Sequence, residues 1–203
     1  MIRVAVLVSG GGSNLQAILD EKEKGNIIHG ELSLILSSNQ NAYALKRGEK
    51  ANIPTQVLSR KEYPSQQDYD VALISILEKY QIDFIVLAGF LNILSSKIIQ
   101  KYPKRIINVH PSLIPSFCGK GYYGLKVHEE AIHYGVKVTG ATVHYVNEIP
   151  DGGEIIFQKA VEVLQGDTSE RLQKRVMEQA EWVLLPKAVE RCCKELWESR
   201  GKK

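Results

Sequence analysis

The chain has 203 residues, of which 44% are hydrophobic and 24% charged, and its formal net charge is +3. This length supports one good-sized core, or at most a domain with a small appendage. The weak positive charge argues against nucleic-acid binding driven by phosphate neutralisation, which usually shows a stronger basic bias. No apolar stretch approaches the roughly 20 residues that a membrane-spanning helix needs. Neither nucleic acid nor a membrane is therefore expected as a partner.

The N-terminal residues and the cysteines indicate a reduced, cytoplasmic protein. The apolar run over residues 2–8 is short and is followed by glycines, so it does not read as a secretory signal. The three cysteines, Cys118, Cys192 and Cys193, are odd in number and two are adjacent. They do not indicate a disulfide framework, and no Cys/His spacing resembles a zinc site. We expect no metal.

Apolar runs and amphipathic stretches alternate along the first half of the chain. A helix over residues 66–80 should turn Val71, Ile74 and Leu77 inward. Strands that alternate with helices over short connections predict a doubly wound, mostly parallel Rossmann-like sheet, with ligands at the carboxyl ends of the strands. The predicted strands cover residues 2–8, 32–36, 55–58, 84–88 and 106–110, and the other helices cover 14–24, 42–51 and 95–101.

The pattern changes after residue 110. A loop over residues 111–123 precedes a helix over 125–133, an edge or antiparallel strand over 138–146 and a turn-rich loop over 147–153. A strand over 154–163 and a long C-terminal helix over 169–200 follow, and we expect the helix to bend at Pro186. No linker is visible, so we predict a single domain over residues 1–203.

A glycine-rich loop connects the first strand to the first helix and reads Ser9-Gly10-Gly11-Gly12-Ser13-Asn14. Glycines before a helix N-terminus allow backbone amides to approach a phosphate closely. The loop is not a Walker A motif, because no Gly-Lys-Ser/Thr follows. It is also a poor dinucleotide motif, because the second strand ends in Ser37-Ser38-Asn39 rather than in an acidic residue. A phosphate monoester fits best, and a plain strand-to-helix turn is the alternative.

Polar side chains end the strand over residues 106–110. Asn108 and His110 are two residues apart and should lie on one face. An asparagine amide can donate to a developing oxyanion, and a histidine can move a proton near neutral pH. Asp151, in a Pro-Asp-Gly-Gly loop, would raise the pKa of His110 if it lay beside the ring.

Plainer interpretations of these residues stay open. A histidine at a strand end is often structural, Asp-Gly-Gly is often a solvated turn, and sequence spacing does not show that Asp151 reaches His110. Ser112 has no Gly-x-Ser-x-Gly sequence around it, so a nucleophile triad is not indicated. The other histidines are taken as structural or surface residues, and His144 is the least certain because its strand should border the site. These other histidines are His29, His128, His133 and His144.

Several motifs together resemble those of one enzyme family, the folate-dependent glycinamide ribonucleotide transformylases of purine biosynthesis. The resemblance covers nearly the whole chain. The motif around Asn108 is shared by the wider formyltransferase group and indicates the reaction class, whereas the glycine loop is narrower and indicates a ribonucleotide phosphate. The motifs are Ser9-Gly10-Gly11-Gly12-Ser13-Asn14-Leu15-Gln16, Leu87-Ala88-Gly89-Phe90, Asn108-Val109-His110-Pro111-Ser112-Leu113-Ile114-Pro115, Gly140-Ala141-Thr142-Val143-His144 and Asp151-Gly152-Gly153.

The resemblance implies formyl transfer from 10-formyltetrahydrofolate to the amine of 5-phosphoribosylglycinamide (GAR), in de novo purine (IMP) biosynthesis. In this scheme Asn108 and protonated His110 stabilise the oxyanion, and Asp151 keeps His110 charged and assists proton movement. Residues 1–100 would form a phosphate-binding half and residues 101–203 a folate and catalytic half, in a monomer or homodimer. The implied GAR-binding residues are Gly11, Gly12, Ser13, Asn14 and Glu181; the implied folate-binding residues are Phe90, Leu91, Asn92, Ile93, Leu94, Val146, Asn147 and Ile149.

Two positions depart from the family pattern. Asn92 stands where some members have an arginine beside the folate pterin. Glu181 matches the family's C-terminal glutamate when the sequence is read backward from Pro186, but reading forward from Arg175 and Val176 shifts the match by one residue.

Three other functions compete with GAR formylation. Methionyl-tRNA formyltransferase shares the Asn-x-His-Pro-Ser core but has a further RNA-binding domain. Formyltetrahydrofolate hydrolase has an additional N-terminal regulatory domain, and we expect neither domain here. A non-catalytic nucleotide-binding module is compatible with the glycine loop alone, whereas the polar residues at the strand end favour an enzyme.

Overall fold

The structure is a computed structural model that describes residues 1–201. Seven strands and seven α-helices alternate along most of the chain, and the strands predicted from apolar runs are confirmed within two residues at either end. The strands are β1 (Ile2–Val8), β2 (Gly30–Ser37), β3 (Thr55–Val57), β4 (Phe84–Leu87), β5 (Ile106–His110), β6 (Val138–Tyr145) and β7 (Ile155–Glu162). The helices are α1 (Ser13–Glu23), α2 (Tyr43–Lys50), α3 (Gln66–Lys79), α4 (Ser96–Lys101), α5 (Leu125–Tyr134), α6 (Ser169–Val176) and α7 (Trp182–Arg200).

The strands form one sheet in the order β3-β2-β1-β4-β5-β6-β7. Strands β1 to β5 pair in parallel, and β6 and β7 extend the sheet with antiparallel pairings. The mostly parallel, doubly wound sheet predicted from the sequence is confirmed. Strand order reverses between β1 and β4, where a crevice opens at the carboxyl ends of the strands.

Alternate residues of the central strands divide between two hydrophobic cores. Val4, Val6 and Val8 pack with α1, α5, α6 and α7 on one face of the sheet, while Ala5 and Leu7 pack with α3 and α4 on the other. Because both faces are covered, the strands consist of continuous β-branched and aliphatic runs rather than an alternation of polar and apolar residues.

Helix α3 buries a different stripe from the one expected. Tyr69, Leu73 and Leu77 are buried, whereas Val71 is 55% exposed, so the expectation that Val71 faces inward is wrong. Helical spacing puts residues 69, 73 and 77 in one row, and Val71 lies about 200° around the helix from Tyr69.

The C-terminal helix changes its hydrogen bonding earlier than the predicted bend at Pro186. A π turn over Met177–Glu181 separates α6 from α7, and Pro186 lies within regular α-helix. In residues 1–201 no helix is long and apolar enough to cross a membrane.

Candidate active site

The crevice between β1 and β4 brings the glycine loop beside the segment that follows β4. The amide of Leu91 donates to Ser9 Oγ at 2.9 Å, and Ser9 Oγ lies 2.7 Å from Ser38 Oγ at the end of β2. The residues expected to bind the phosphate and those expected to bind folate therefore meet at one edge of the sheet.

Asp151 lies within reach of three polar side chains at the ends of β5 and β6. Asn108 Nδ2 is 3.5 Å from Asp151 Oδ1, and His110 Nδ1 is 3.5 Å from Oδ2. His144 Nε2 is 3.5 Å from Oδ1 and 3.3 Å from Asn108 Nδ2. The contact between Asp151 and His110, which sequence spacing left open, is present.

The loop after β6 reaches back to the site through a tight turn. Asp151 has a left-handed backbone with φ of 56°, and a Cβ on Gly153 would overlap the carbonyl oxygen of Tyr145. Asp151 Oδ2 accepts a 2.8 Å hydrogen bond from the amide of Gly119. Glycine at position 153 lets the loop pass close to β6, and the Gly119 amide orients the carboxylate.

Burial lowers the pKa of His110 below its ordinary value, and the nearby His144 acts in the same direction. The Asp151 carboxylate and the Phe117 carbonyl both raise this pKa but do not outweigh burial. The expectation of a raised His110 pKa is therefore wrong in its net direction, although Asp151 has the predicted effect. Nε2 of the ring lies 2.8 Å from the Phe117 carbonyl. A neutral ring donates there through Nε2, so Nδ1 carries the lone pair that can take up a proton beside the Asp151 carboxylate.

The Asp151 carboxylate stays ionised in this setting. Burial raises the pKa of Asp151, but the His144 ring, the charge of His110 and the Gly119 amide together outweigh burial and lower it below its ordinary value. A half-buried anion is thus maintained beside a histidine that is neutral near pH 7, an arrangement able to take up and return one proton.

A cavity of about 540 Å³ opens beside Asn108, His110 and Asp151. Its walls are largely apolar, and Leu91, Ile93 and Ile149 remain more than 60% exposed within this region. Asn92 Nδ2 lies 3.5 Å from the Tyr69 hydroxyl. The cavity lining includes every residue expected to bind folate: Phe90, Leu91, Asn92, Ile93, Leu94, Val146, Asn147 and Ile149.

Glu181 lies against the start of α1, next to the glycine loop. Asn14 Nδ2 donates to Glu181 Oε2 at 2.7 Å, and both side chains are buried. Burial raises the pKa of Glu181, and the hydrogen bond from Asn14 offsets part of that effect. Asn14 Oδ1 is buried without a hydrogen-bond partner in residues 1–201.

The π turn explains why two readings of the sequence placed the family's glutamate one residue apart. The amide of Trp182 bonds to the carbonyl of Met177, five residues earlier, so this turn accommodates one residue more than an α-helical turn. Val176 before the turn and Leu185 after it both stay buried. Glu181, rather than its apolar neighbour Ala180, contacts Asn14.

Each of the two prospective substrate sites draws residues from both halves of the chain. Asn14 of the first half contacts Glu181 of the second, and Leu91 of the first half shares its cavity with Asn108 of the second. Among residues 1–201, no group of three or more His, Cys, Asp and Glu side chains is placed to hold a metal ion.

Sequence reasoning missed part of the site. His144 lines the cavity and is paired with Asn108 across β5 and β6. It was taken by default as a structural or surface residue, although its strand was expected to border the site. The antiparallel alternation of β6, which puts Thr142 and His144 on one face, was the available signal. The loop over residues 111–123 was read only as a loop, yet Phe117 and Gly119 hold His110 and Asp151.

Residues 2–189 match the family model described as Formyl transferase. The match spans most of the chain, so the chain belongs to the formyl transferase family. Membership of this family implies a formyl donor derived from folate.

Solved structures and curated relatives show which proteins of this family the chain is similar to. Glycinamide ribonucleotide transformylase 1 from Symbiobacterium toebii is 39% identical with a TM-score of 0.89, over 96% of this chain and 89% of that one. The trifunctional purine biosynthetic protein adenosine-3 of Homo sapiens is 43% identical over 93% of this chain, but the chain spans only 18% of its length. The chloroplastic phosphoribosylglycinamide formyltransferase of Arabidopsis thaliana is 38% identical over 95% of this chain and 66% of its own length.

Proposed function

We propose that this chain transfers the formyl group of 10-formyltetrahydrofolate to the amine of GAR, giving formyl-GAR and tetrahydrofolate in purine biosynthesis. The observation that carries the proposal is the placement of Asp151 within 3.5 Å of Asn108, His110 and His144, beside the cavity that forms the prospective folate site. The names and the structural similarity of the relatives support the same substrates.

In this proposal the GAR phosphate lies on the amides of Gly11, Gly12, Ser13 and Asn14. Helix N-termini with free amides favour an anion there. Glu181 faces the ribose, where a buried carboxylate can accept hydrogen bonds from hydroxyl groups. The folate ring lies in the cavity between residues 90–94 and 146–149, whose apolar lining suits a flat heterocycle.

The chemistry begins when the amine nitrogen of GAR attacks the formyl carbon and the carbonyl electrons move to oxygen. Asn108 Nδ2 donates to the oxyanion that forms. Neutral His110 takes the proton that the attacking nitrogen loses, and Asp151 stabilises the resulting imidazolium. The same proton passes to the folate nitrogen as the carbon–nitrogen bond to folate breaks. The lowered pKa of His110 supports a ring that starts neutral.

The test is the rate of tetrahydrofolate formation with and without GAR, for the wild type and Asn108→Ala. Removing one oxyanion donor costs about 100- to 1,000-fold in kcat. Asn92→Ala is the comparison variant, because it removes an amide from the folate side of the same cavity without touching Asp151. Its effect should fall on the KM for folate, with kcat within about twofold of the wild type. Unchanged turnover in Asn108→Ala contradicts the assignment.

The assay also separates the competing functions. Tetrahydrofolate released at the same rate without GAR would indicate a hydrolase, and binding of both ligands without product would indicate a non-catalytic module. We further propose that the chain works as one unit in the cytoplasm. Its cysteines, Cys118, Cys192 and Cys193, are all free thiols, which is usual in a reducing compartment.

A further inference from the structure

Helix α2 contacts the glycine loop from the side opposite the prospective phosphate. The amide of Ala44 donates to the carbonyl of Gly10 at 3.1 Å, and Nε of Arg47 donates to the carbonyl of Gly11 at 2.9 Å. The carbonyl of Gly12 accepts the first hydrogen bond of α1, from the amide of Gln16 at 2.9 Å. Three successive carbonyls thus have partners in the body of the protein.

These bonds determine where the loop's amides point. Within a trans peptide, the carbonyl and the N–H that follows it point in opposite directions. The N–H groups of Gly11, Gly12 and Ser13 therefore point away from the groups that hold the carbonyls, and in residues 1–201 none of the three donates a hydrogen bond. Successive free amides at a helix N-terminus form a concavity that suits an anion.

Arg47 is itself held in place. Its Nη1 donates to Gln16 Oε1 at 2.7 Å, and its guanidinium carbon lies 4.9 Å from the centre of the Tyr43 ring. Reaching Gly11 and Gln16 at the same time uses two nitrogens of one planar group, which a lysine lacks.

The loop also packs closely on α2 beside Arg47. Gly12 has a φ of 72°, and a Cβ on it would lie 2.7 Å from the Cβ of Ala44. The backbone around Gly12 has little room to shift towards α2. The direction of the Gly12 N–H then depends on the peptide between Gly11 and Gly12, and the carbonyl of that peptide accepts the hydrogen bond from Arg47.

We propose that Arg47 is a positioning residue for the substrate phosphate: by binding the Gly11 carbonyl, it aims the Gly12 amide at a phosphate monoester. The inference rests on the proposed function only for the identity of the molecule that carries the phosphate. Without Arg47 the Gly11–Gly12 peptide is free to rotate, and phosphate binding loses a preorganised donor. The reacting groups at Asn108 and His110 are untouched.

The kinetic test compares Arg47→Ala and Arg47→Lys with the control Lys50→Ala. Lys50 is an exposed residue of the same helix, so its loss removes equal charge without contact to the loop. We expect Arg47→Ala to raise KM for GAR about 10-fold or more, with kcat and the folate KM within about twofold of the wild type. Arg47→Lys should recover part of the affinity, and Lys50→Ala should behave as the wild type. An unchanged GAR KM in Arg47→Ala, or an equal rise in Lys50→Ala, overturns the proposal.

A binding test does not depend on turnover. Inorganic phosphate is titrated into isotope-labelled protein while the backbone amide signals of Gly11, Gly12 and Ser13 are followed by NMR. These signals should shift in the wild type, and Arg47→Ala should need at least about fivefold more phosphate for the same shift. Wild-type signals that do not respond, or equal affinity in the variant, contradict the proposal.

The two tests separate failure of the inference from failure of the proposed function. A wild type that forms no tetrahydrofolate with GAR, yet binds phosphate in an Arg47-dependent way, refutes GAR as substrate and keeps the role of Arg47. Thermal unfolding of each variant shows whether it is folded. If Arg47→Ala does not fold, Arg47→Lys, which keeps the charge and one donor, provides the same comparison with a smaller expected change.

Discussion

His128 gives a stability prediction that depends on pH. It lies in α5 with 1% of its surface exposed, and in residues 1–201 neither ring nitrogen has a hydrogen-bond partner. Burial, and then the charge of nearby His110, lowers the pKa of His128 from 6.5 to about 4. The folded protein therefore holds this ring neutral under conditions in which the unfolded chain protonates it.

The size of the effect follows from the two pKa values. Because the folded-state pKa lies below the unfolded one, the unfolded chain binds the proton first as the pH falls. The stability associated with the neutral ring is present above pH 6.5 and is lost progressively as the pH falls from 6.5 to about 4. A difference of about 2.5 pKa units corresponds to about 3 kcal/mol, a large share of a typical folding free energy of roughly 5–15 kcal/mol.

Urea unfolding of the wild type and His128→Phe at pH 7.5 and pH 4 measures this effect. Other acidic groups titrate in both proteins, and their effect cancels in the comparison. Between these pH values the free energy of unfolding should therefore fall by about 3 kcal/mol more in the wild type than in the variant. His128→Leu serves as a second variant if the phenyl ring does not fit. His133→Leu removes an exposed histidine from the same helix and should keep the wild-type pH dependence. Equal losses in the wild type and both His128 variants would refute the reasoning.

Three further predictions concern the candidate site. Asp151→Asn removes the group that raises the pKa of His110, so the acidic limb of the kcat/KM profile should move to lower pH as kcat falls; a limb that stays in place contradicts the role of Asp151. Gly153→Ala forces the loop away from the Tyr145 carbonyl, and displacing a catalytic group by about 1 Å can lower the rate about 100-fold. We therefore expect kcat to fall at least 10-fold with little change in the thermal midpoint, whereas an unchanged kcat would show that the loop adapts. Glu181→Gln should raise KM for GAR about 10-fold. Because burial raises the Glu181 pKa, the charged form costs stability as the pH rises, so the variant should gain more free energy of unfolding over the wild type at pH 7 than at pH 4.5. Urea unfolding measures this difference, and an equal gain at both pH values would contradict a buried charge.

The strands could be predicted from the sequence because burial on both faces leaves a simple pattern. Continuous runs such as Ile2–Val8 have few alternative interpretations. The buried face of a helix was harder to predict. Helix α3 carries two apolar stripes, and only packing decides that the stripe containing Tyr69 is buried and the one containing Val71 is not.

The candidate site was predictable where it follows strand periodicity and unpredictable where it depends on long-range contacts. Period-two spacing placed Asn108 and His110 on one face. The approach of Asp151 depends instead on a turn that lies about forty residues further along the chain. The sign of the His110 pKa shift was wrong because a sequence names a neighbouring carboxylate but does not measure burial, and burial is the larger effect.

The π turn over Met177–Glu181 has a consequence for comparing this chain with its relatives. A relative with one residue fewer between Val176 and Pro186 can keep both helix faces by closing this turn into ordinary α-helix. An alignment gap belongs inside these five residues and nowhere else in the C-terminal helix. A gap placed elsewhere would match the wrong side chain of the relative to Glu181.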